Sequence, residues 1–168
     1  MSNYIGLAGE HFVAYKLSLR ELNIGLTLGN TPNIDLLLST NDGLKCISIQ
    51  VKSSKGAYRK NRYGDEGYEW DVNKSVVGRS SIDFWYVFVD FNWHESIEPD
   101  TYIIPSKWVA EFVDPEFSRY MFFLPSKAAD LTRNRWDLLD YVLKGDEKTI
   151  SWAMKWDEKI LVRWGKKK

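Results

Sequence analysis

Short runs of apolar, mostly branched residues alternate with polar turns along most of the chain, and one helical stretch precedes them. Residues 3–20 carry Ile5, Ala8, Phe12 and Val13 at the three- and four-residue spacing of a helix with a broad apolar face. Glu10 shares a stripe with Val13, Ala14 and Leu17, three, four and seven positions on. Its carboxylate therefore stands at the edge of the buried face rather than opposite it. Residues 22–28 read as a first strand, with Gly29-Asn30-Thr31-Pro32 as the turn that follows. Residues 33–38 and 47–52 read as two further strands. They are joined by Thr40-Asn41-Asp42-Gly43, in which Asp-Gly is a strong hairpin signal. Asp35 thus belongs to one strand and Gln50 and Lys52 to its antiparallel neighbour. The period of two puts Gln50 and Lys52 on one face, with Ile49 and Val51 on the other.

Beyond the hairpin the pattern loosens. Residues 56–80 are polar, contain four glycines and mix aromatic with basic side chains. They read as an excursion from the core over a substrate groove, with a short strand at 68–72. Residues 84–91 form a continuous apolar run, the signature of a strand covered on both faces. A polar loop at 92–100, a strand at 101–104 ended by Pro105 and a helix capped by Ser106 and running to about residue 112 follow. Residues 115–125 read as irregular or partly extended, 134–143 as a helix closed at Gly145, and 149–164 carry no clear period. The sum is a single α/β domain over residues 1–168, a central mixed sheet flanked by helices.

Composition narrows the class. The 168 residues suffice for one substantial core, and 44% hydrophobic with 27% charged residues is the balance of a soluble globular protein. No apolar run approaches the roughly 20 residues that span a bilayer, so no membrane partner is expected. The lone Cys46 excludes a disulfide framework, and no secretory signal is evident, so a cytoplasmic location is expected. Cys46 lies in an apolar strand and reads as a small buried residue. The eight tryptophans read mostly as core. Formal net charge is zero, yet Lys55, Arg59, Lys60 and Arg62 cluster without an acid between residues 53 and 62, and the chain ends in three lysines. Such runs either touch phosphates or are simply solvated surface.

Glu10, Asp35, Gln50 and Lys52 say more together than apart. An octahedral magnesium site takes hard oxygen ligands from a few side chains and leaves the remainder to water and phosphate. Asp35 offers a carboxylate, Gln50 an amide oxygen, and Glu10 a second carboxylate reaching from the helix. Lys52 can help deprotonate or orient an attacking water, or neutralise charge on a phosphate. His11 and His94 are isolated, which leaves little for a histidine triad or a zinc site. No P-loop is present.

A helix bearing glutamate, a strand bearing aspartate and a (D/E)-x-K strand is the layout of the PD-(D/E)XK nuclease superfamily, which this chain resembles through Gly9-Glu10, Ile34-Asp35 and Gln50-Val51-Lys52. The motifs cover residues 5–53, and the strand order extends the likeness to about residue 105. The resemblance implies a restriction endonuclease-like fold and Mg²⁺ (or Mn²⁺) held by Asp35, Gln50 and Glu10. It also implies hydrolysis of nucleic-acid backbones, DNA above all, with Lys52 as the fourth catalytic residue. Ser53, Lys55, Arg59, Lys60 and Arg62 then become candidates for nucleic-acid contacts. Cutting both strands of a duplex needs two such sites, which suggests a homodimer. Ile34 stands where the superfamily name has proline. Gln50 replaces its acidic residue, a form similar to that of methyl-directed restriction enzymes of the superfamily.

Three other readings remain open. Lys52 can pair with Asp35 across the hairpin as an ordinary ion pair, with Gln50 completing the network. The domain can be a catalytically inactive relative that binds nucleic acid or protein, which the neutral Gln50 favours. It can also be an immunity or scaffold protein that meets its partner through exposed tryptophans at 56–80 or 149–164.

Overall fold

The apolar run at residues 84–91 becomes the spine of the molecule. In the computed structural model, which describes residues 2–27, 32–62, 64–92, 98–113 and 119–155, strand β6 (Phe84–Asp90) is buried at every position. Phe84, Tyr86 and Phe88 enter one hydrophobic cluster, while Trp85, Val87 and Val89 enter another. A strand covered on both faces has no polar side to show, which is why its sequence does not alternate.

Around β6 lies a five-stranded mixed sheet in the order β1-β2-β3-β6-β7. Its other members are β1 (Asn23–Leu26), β2 (Leu36–Ser39), β3 (Cys46–Ser54) and β7 (Asp100–Pro105). The β2–β3 hairpin is antiparallel, as expected, with Leu36 opposite Ile49. Gly43 takes the positive φ of 70° that its turn requires. β3 pairs with β6 in parallel, Gln50 opposite Tyr86 and Lys52 opposite Phe88. Helix α1 (Ser2–Ser18) lays Val13 and Leu17 on the face formed by Ile49 and Val51, with Glu10 half-buried at the edge as its stripe predicts.

Parallel neighbours cannot be joined by a tight turn; the chain must cross over. The stretch at 56–80 makes that crossover, and here the expectation of an excursion from the core fails. It folds as β4 (Tyr58–Arg62) and β5 (Asp65–Asp71), which join β8 (Met121–Pro125) in a second, antiparallel sheet of order β4-β5-β8. Its polar composition misleads because β4 is mostly exposed, while β5 buries Gly67, Glu69 and Trp70. Trp70 lies 4.9 Å from Phe88 between ring centroids, Phe122 lies 4.7 Å from Phe88, and the Trp70 indole N–H donates to the Val89 carbonyl at 3.1 Å. One aromatic layer therefore binds the two sheets, at geometries in which ring pairs add to plain burial.

Helices α2 (Ser106–Phe112), α3 (Ser126–Ala129), α4 (Asp137–Leu143) and α5 (Glu147–Met154) complete the fold. Ser106 does not cap α2 but exchanges hydrogen bonds with the Ser81 backbone. The C-terminal region, whose sequence shows no clear period, holds α5, capped by Asp146, whose carboxylate accepts from the Thr149 N–H at 2.7 Å. Cys46 is exposed, not buried, because it opens β3 two residues before β6 begins to cover that strand's second edge. Trp70, Trp85, Trp108 and Trp136 are core residues. Trp93, His94, Trp156, Trp164 and the terminal lysines lie outside the described residues, as does the turn at 28–31. No described helix is long and apolar enough to cross a membrane.

Candidate active site

The site forms where β2 stops and β3 continues. The sequence pattern places Asp35 within a strand; it sits instead one residue before β2, beyond the last β2–β3 pair. Its N–H still donates to the Ile49 carbonyl at 2.9 Å, but the next rung is made by its side chain, Oδ2 accepting from the Val51 N–H at 2.6 Å. A carboxylate that substitutes for a backbone carbonyl is held rigidly. It also leaves its second oxygen for another partner.

Into this opening come Glu10 from α1 and Lys52 from β3. Their mutual influence shows in their ionisation. Burial raises the Asp35 pKa, with the Val51 N–H and the Lys52 charge acting against the shift. Burial also raises that of Glu10, reinforced by the negative charge of Asp35 and opposed by His11 and Lys52. Burial lowers the Lys52 pKa, while Asp35, Glu10 and Asp71 oppose that change. Two carboxylates and an amine thus share one partly dry region, the circumstance in which functional groups are tuned. No salt bridge joins Lys52 to either acid among the described residues, which counts against the simple cross-strand ion pair.

Gln50 supplies the most informative atom. It is only 4% exposed, on the face of β3 shared with Lys52, and its Oε1 has no hydrogen-bond partner among the described residues. A buried carbonyl oxygen without a donor costs about 1–3 kcal/mol, and such a group calls for a reason. Two carboxylates and a neutral amide oxygen form a hard donor set of the kind magnesium takes. Among the described residues no group of three or more histidine, cysteine or carboxylate side chains could hold a metal, so any ion here would lean on the amide.

The nucleic-acid candidates separate. Ser53, Arg59 and Arg62 line a cleft of about 320 Å³ that starts at Lys52, together with Glu69, Asp71 and Arg119. Lys55 and Lys60 are exposed and lie outside it. The Ser53 hydroxyl is buried without a hydrogen-bond partner among the described residues and faces α1 at Gly9. Sequence reasoning missed Glu69, Asp71 and Arg119. The first two were legible in the alternation of Tyr68-Glu69-Trp70-Asp71, which places acids between aromatic positions; Arg119 carried no signal. His11 is exposed.

No protein-family model and no curated protein matches the chain. Among solved structures, that of a bacterial homing endonuclease, I-Ssp6803I, is similar with a TM-score of 0.59 at 13% identity, covering 89% of this chain and 98% of that one. The likeness is one of fold, and it extends over nearly all of both chains.

Proposed function

We propose that this protein is a metal-dependent phosphodiesterase acting on nucleic acid, a DNA endonuclease of the PD-(D/E)XK type with Gln50 in the place of an acid. The orphaned Oε1 of Gln50 carries the reading, because it lies buried on the face of β3 that also presents Lys52, the amine within electrostatic reach of Asp35 and Glu10. The fold shared with a homing endonuclease supports it.

Asp35, Glu10 and Gln50 would hold Mg²⁺ or Mn²⁺ through oxygen. When bound, the ion supplies a lowered pKa for coordinated water and neutralisation of charge on the phosphate. The chain's own residues do the rest. The Val51 N–H fixes the Asp35 carboxylate, so the donor set needs little rearrangement. Lys52, whose proton is loosened by burial, is placed to take the proton of the attacking water or to donate to the phosphate as charge grows there.

A binding domain without hydrolysis is the second reading, and the neutral Gln50 favours it. A purely binding role leaves unexplained why an amine is kept half-buried without an ion pair beside two acids. The scaffold reading loses its support at 56–80, where Trp70 is buried under the second sheet. Incubation of supercoiled plasmid with Mg²⁺ separates hydrolysis from binding. The proposal expects nicked or linear product from the wild type and at least a ~100-fold slower reaction from Lys52→Ala and Asp35→Ala. Binding without cleavage in all three proteins would favour the second reading. Linear product would imply two copies acting on one duplex, as in a homodimer.

A further inference from the structure

The cleft that begins at Lys52 runs along β4 and β5, and its charges are arranged in a way the catalytic centre does not use. Four cationic side chains line it, Lys52, Arg59, Arg62 and Arg119, against two carboxylates, Glu69 and Asp71. Arg119 is held on Asp71 at 2.7 Å and Lys52 faces Asp35 and Glu10, so in a chain that is neutral as a whole the local excess rests on Arg59 and Arg62 against the single charge of Glu69. The Glu69 side chain is only 4% exposed, yet both its oxygens meet guanidinium groups, Oε1 with Arg59 at 3.5 Å and Oε2 with Arg62 at 3.0 Å. The guanidinium side chains remain 41% and 50% exposed. Arg59 is held further by Nη1 donating to the Gly56 and Tyr58 carbonyls at 3.0 and 2.9 Å.

An ion pair serving only to close a hairpin would gain nothing from burying the acid while presenting the cations. Here the acid is hidden and the bases are displayed. Each guanidinium carries five N–H donors, and with 41% and 50% of the two side chains exposed a second anion can approach both. A pinned guanidinium also loses less side-chain entropy on binding than a loose one. We infer that Arg59 and Arg62, aimed by the buried Glu69, form a phosphodiester-binding subsite that grips the nucleic-acid backbone beside the phosphate presented to Lys52, with Glu69 as their positioning residue. This rests on the nucleic-acid reading of the Lys52 centre. It adds a place where the strand is held rather than cut.

Binding of a fluorescein-labelled DNA duplex, followed by anisotropy in EDTA across a salt series, tests the subsite apart from cleavage. Arg59→Gln/Arg62→Gln, both at exposed heads, should weaken binding by about tenfold or more and make the log–log salt slope shallower by about two, roughly one for each phosphate no longer neutralised. Mn²⁺ binding by the same variant should be unchanged. Glu69→Gln discriminates positioning from charge. Removing a negative charge should tighten binding if Glu69 merely offsets the arginines, whereas the subsite predicts weaker binding. Wild-type affinity and slope in the double variant, or tighter binding by Glu69→Gln, would overturn the inference, and the nuclease reading would stand if the wild type still cuts. A wild type that neither binds nor cuts would remove that reading and the subsite with it.

Discussion

Gly9 of α1 presses against Ser53 of β3 so closely that a Cβ on residue 9 would lie 1.8 Å from the Ser53 Oγ and 2.9 Å from its Cβ. The two residues adjoin Glu10 and Lys52. Their close approach therefore sets the distance between helix and strand at the point where those side chains converge, and only a residue without a side chain allows it.

Gly9→Ala should accordingly lose both stability and activity. Alanine is the better helix former by about 0.8–1.0 kcal/mol, but overpacking typically costs about 1–3 kcal/mol, so the clash wins. Ser53→Gly in the same chain should reverse the sign, making Gly9→Ala neutral or stabilising. Urea denaturation of the double-mutant cycle checks this, and cleavage should recover with it.

Asp35→Asn should abolish cleavage and stabilise the metal-free protein at neutral pH by about 0.5–2 kcal/mol, a trade of function for stability. The amide can still accept from the Val51 N–H but carries no charge. The sign follows from the raised pKa of Asp35. A carboxyl whose folded pKa exceeds its ordinary value contributes stability that is fully present below that value, 3.8, and lost as pH rises through the folded one. The gap between the variant and the wild type should thus be small in acid and widen toward neutrality. Thermal melts across that range measure it, and Mg²⁺ should narrow it.

Gln50→Met should raise the stability of the metal-free protein by about 1 kcal/mol, because it keeps the side chain's volume and removes an oxygen with no donor. On the proposed function it should also erase the rise in melting temperature expected of the wild type with Mg²⁺. Gln50→Glu should do the reverse. A third buried carboxylate destabilises the metal-free protein, and Mg²⁺ should raise the melting temperature of that variant by more than it raises the wild type's.

Trp70→Ala should cost about 3–5 kcal/mol. It empties the aromatic layer between the sheets and deletes the bond to the Val89 carbonyl. Chemical denaturation measures the destabilisation.

Much of this arrangement is written in local pattern. The stripe through Glu10, Val13 and Leu17, the Asp-Gly turn and the two-residue period at Gln50 and Lys52 each depend on near neighbours in sequence. The all-apolar run from Phe84 declares its double burial. What stays hidden depends on distant pairing. Nothing in residues 56–80 announces that β5 will pair with β8, about fifty residues on, so its exposed β4 neighbour and its acids look like a polar loop. Cys46 looks buried because its strand is apolar, while its exposure depends on where β6 starts. The Gly9–Ser53 approach joins residues that no local rule connects.

On the proposed function, Glu10, Asp35 and Gln50 hold a divalent cation beside Lys52. Anomalous difference density from crystals grown with Mn²⁺ tests it most directly. A peak is expected within about 2–2.5 Å of oxygens from Asp35, Gln50 and Glu10, and none in Asp35→Asn/Glu10→Gln. A well-ordered site with no peak there, or with Mn²⁺ bound only elsewhere, would contradict it.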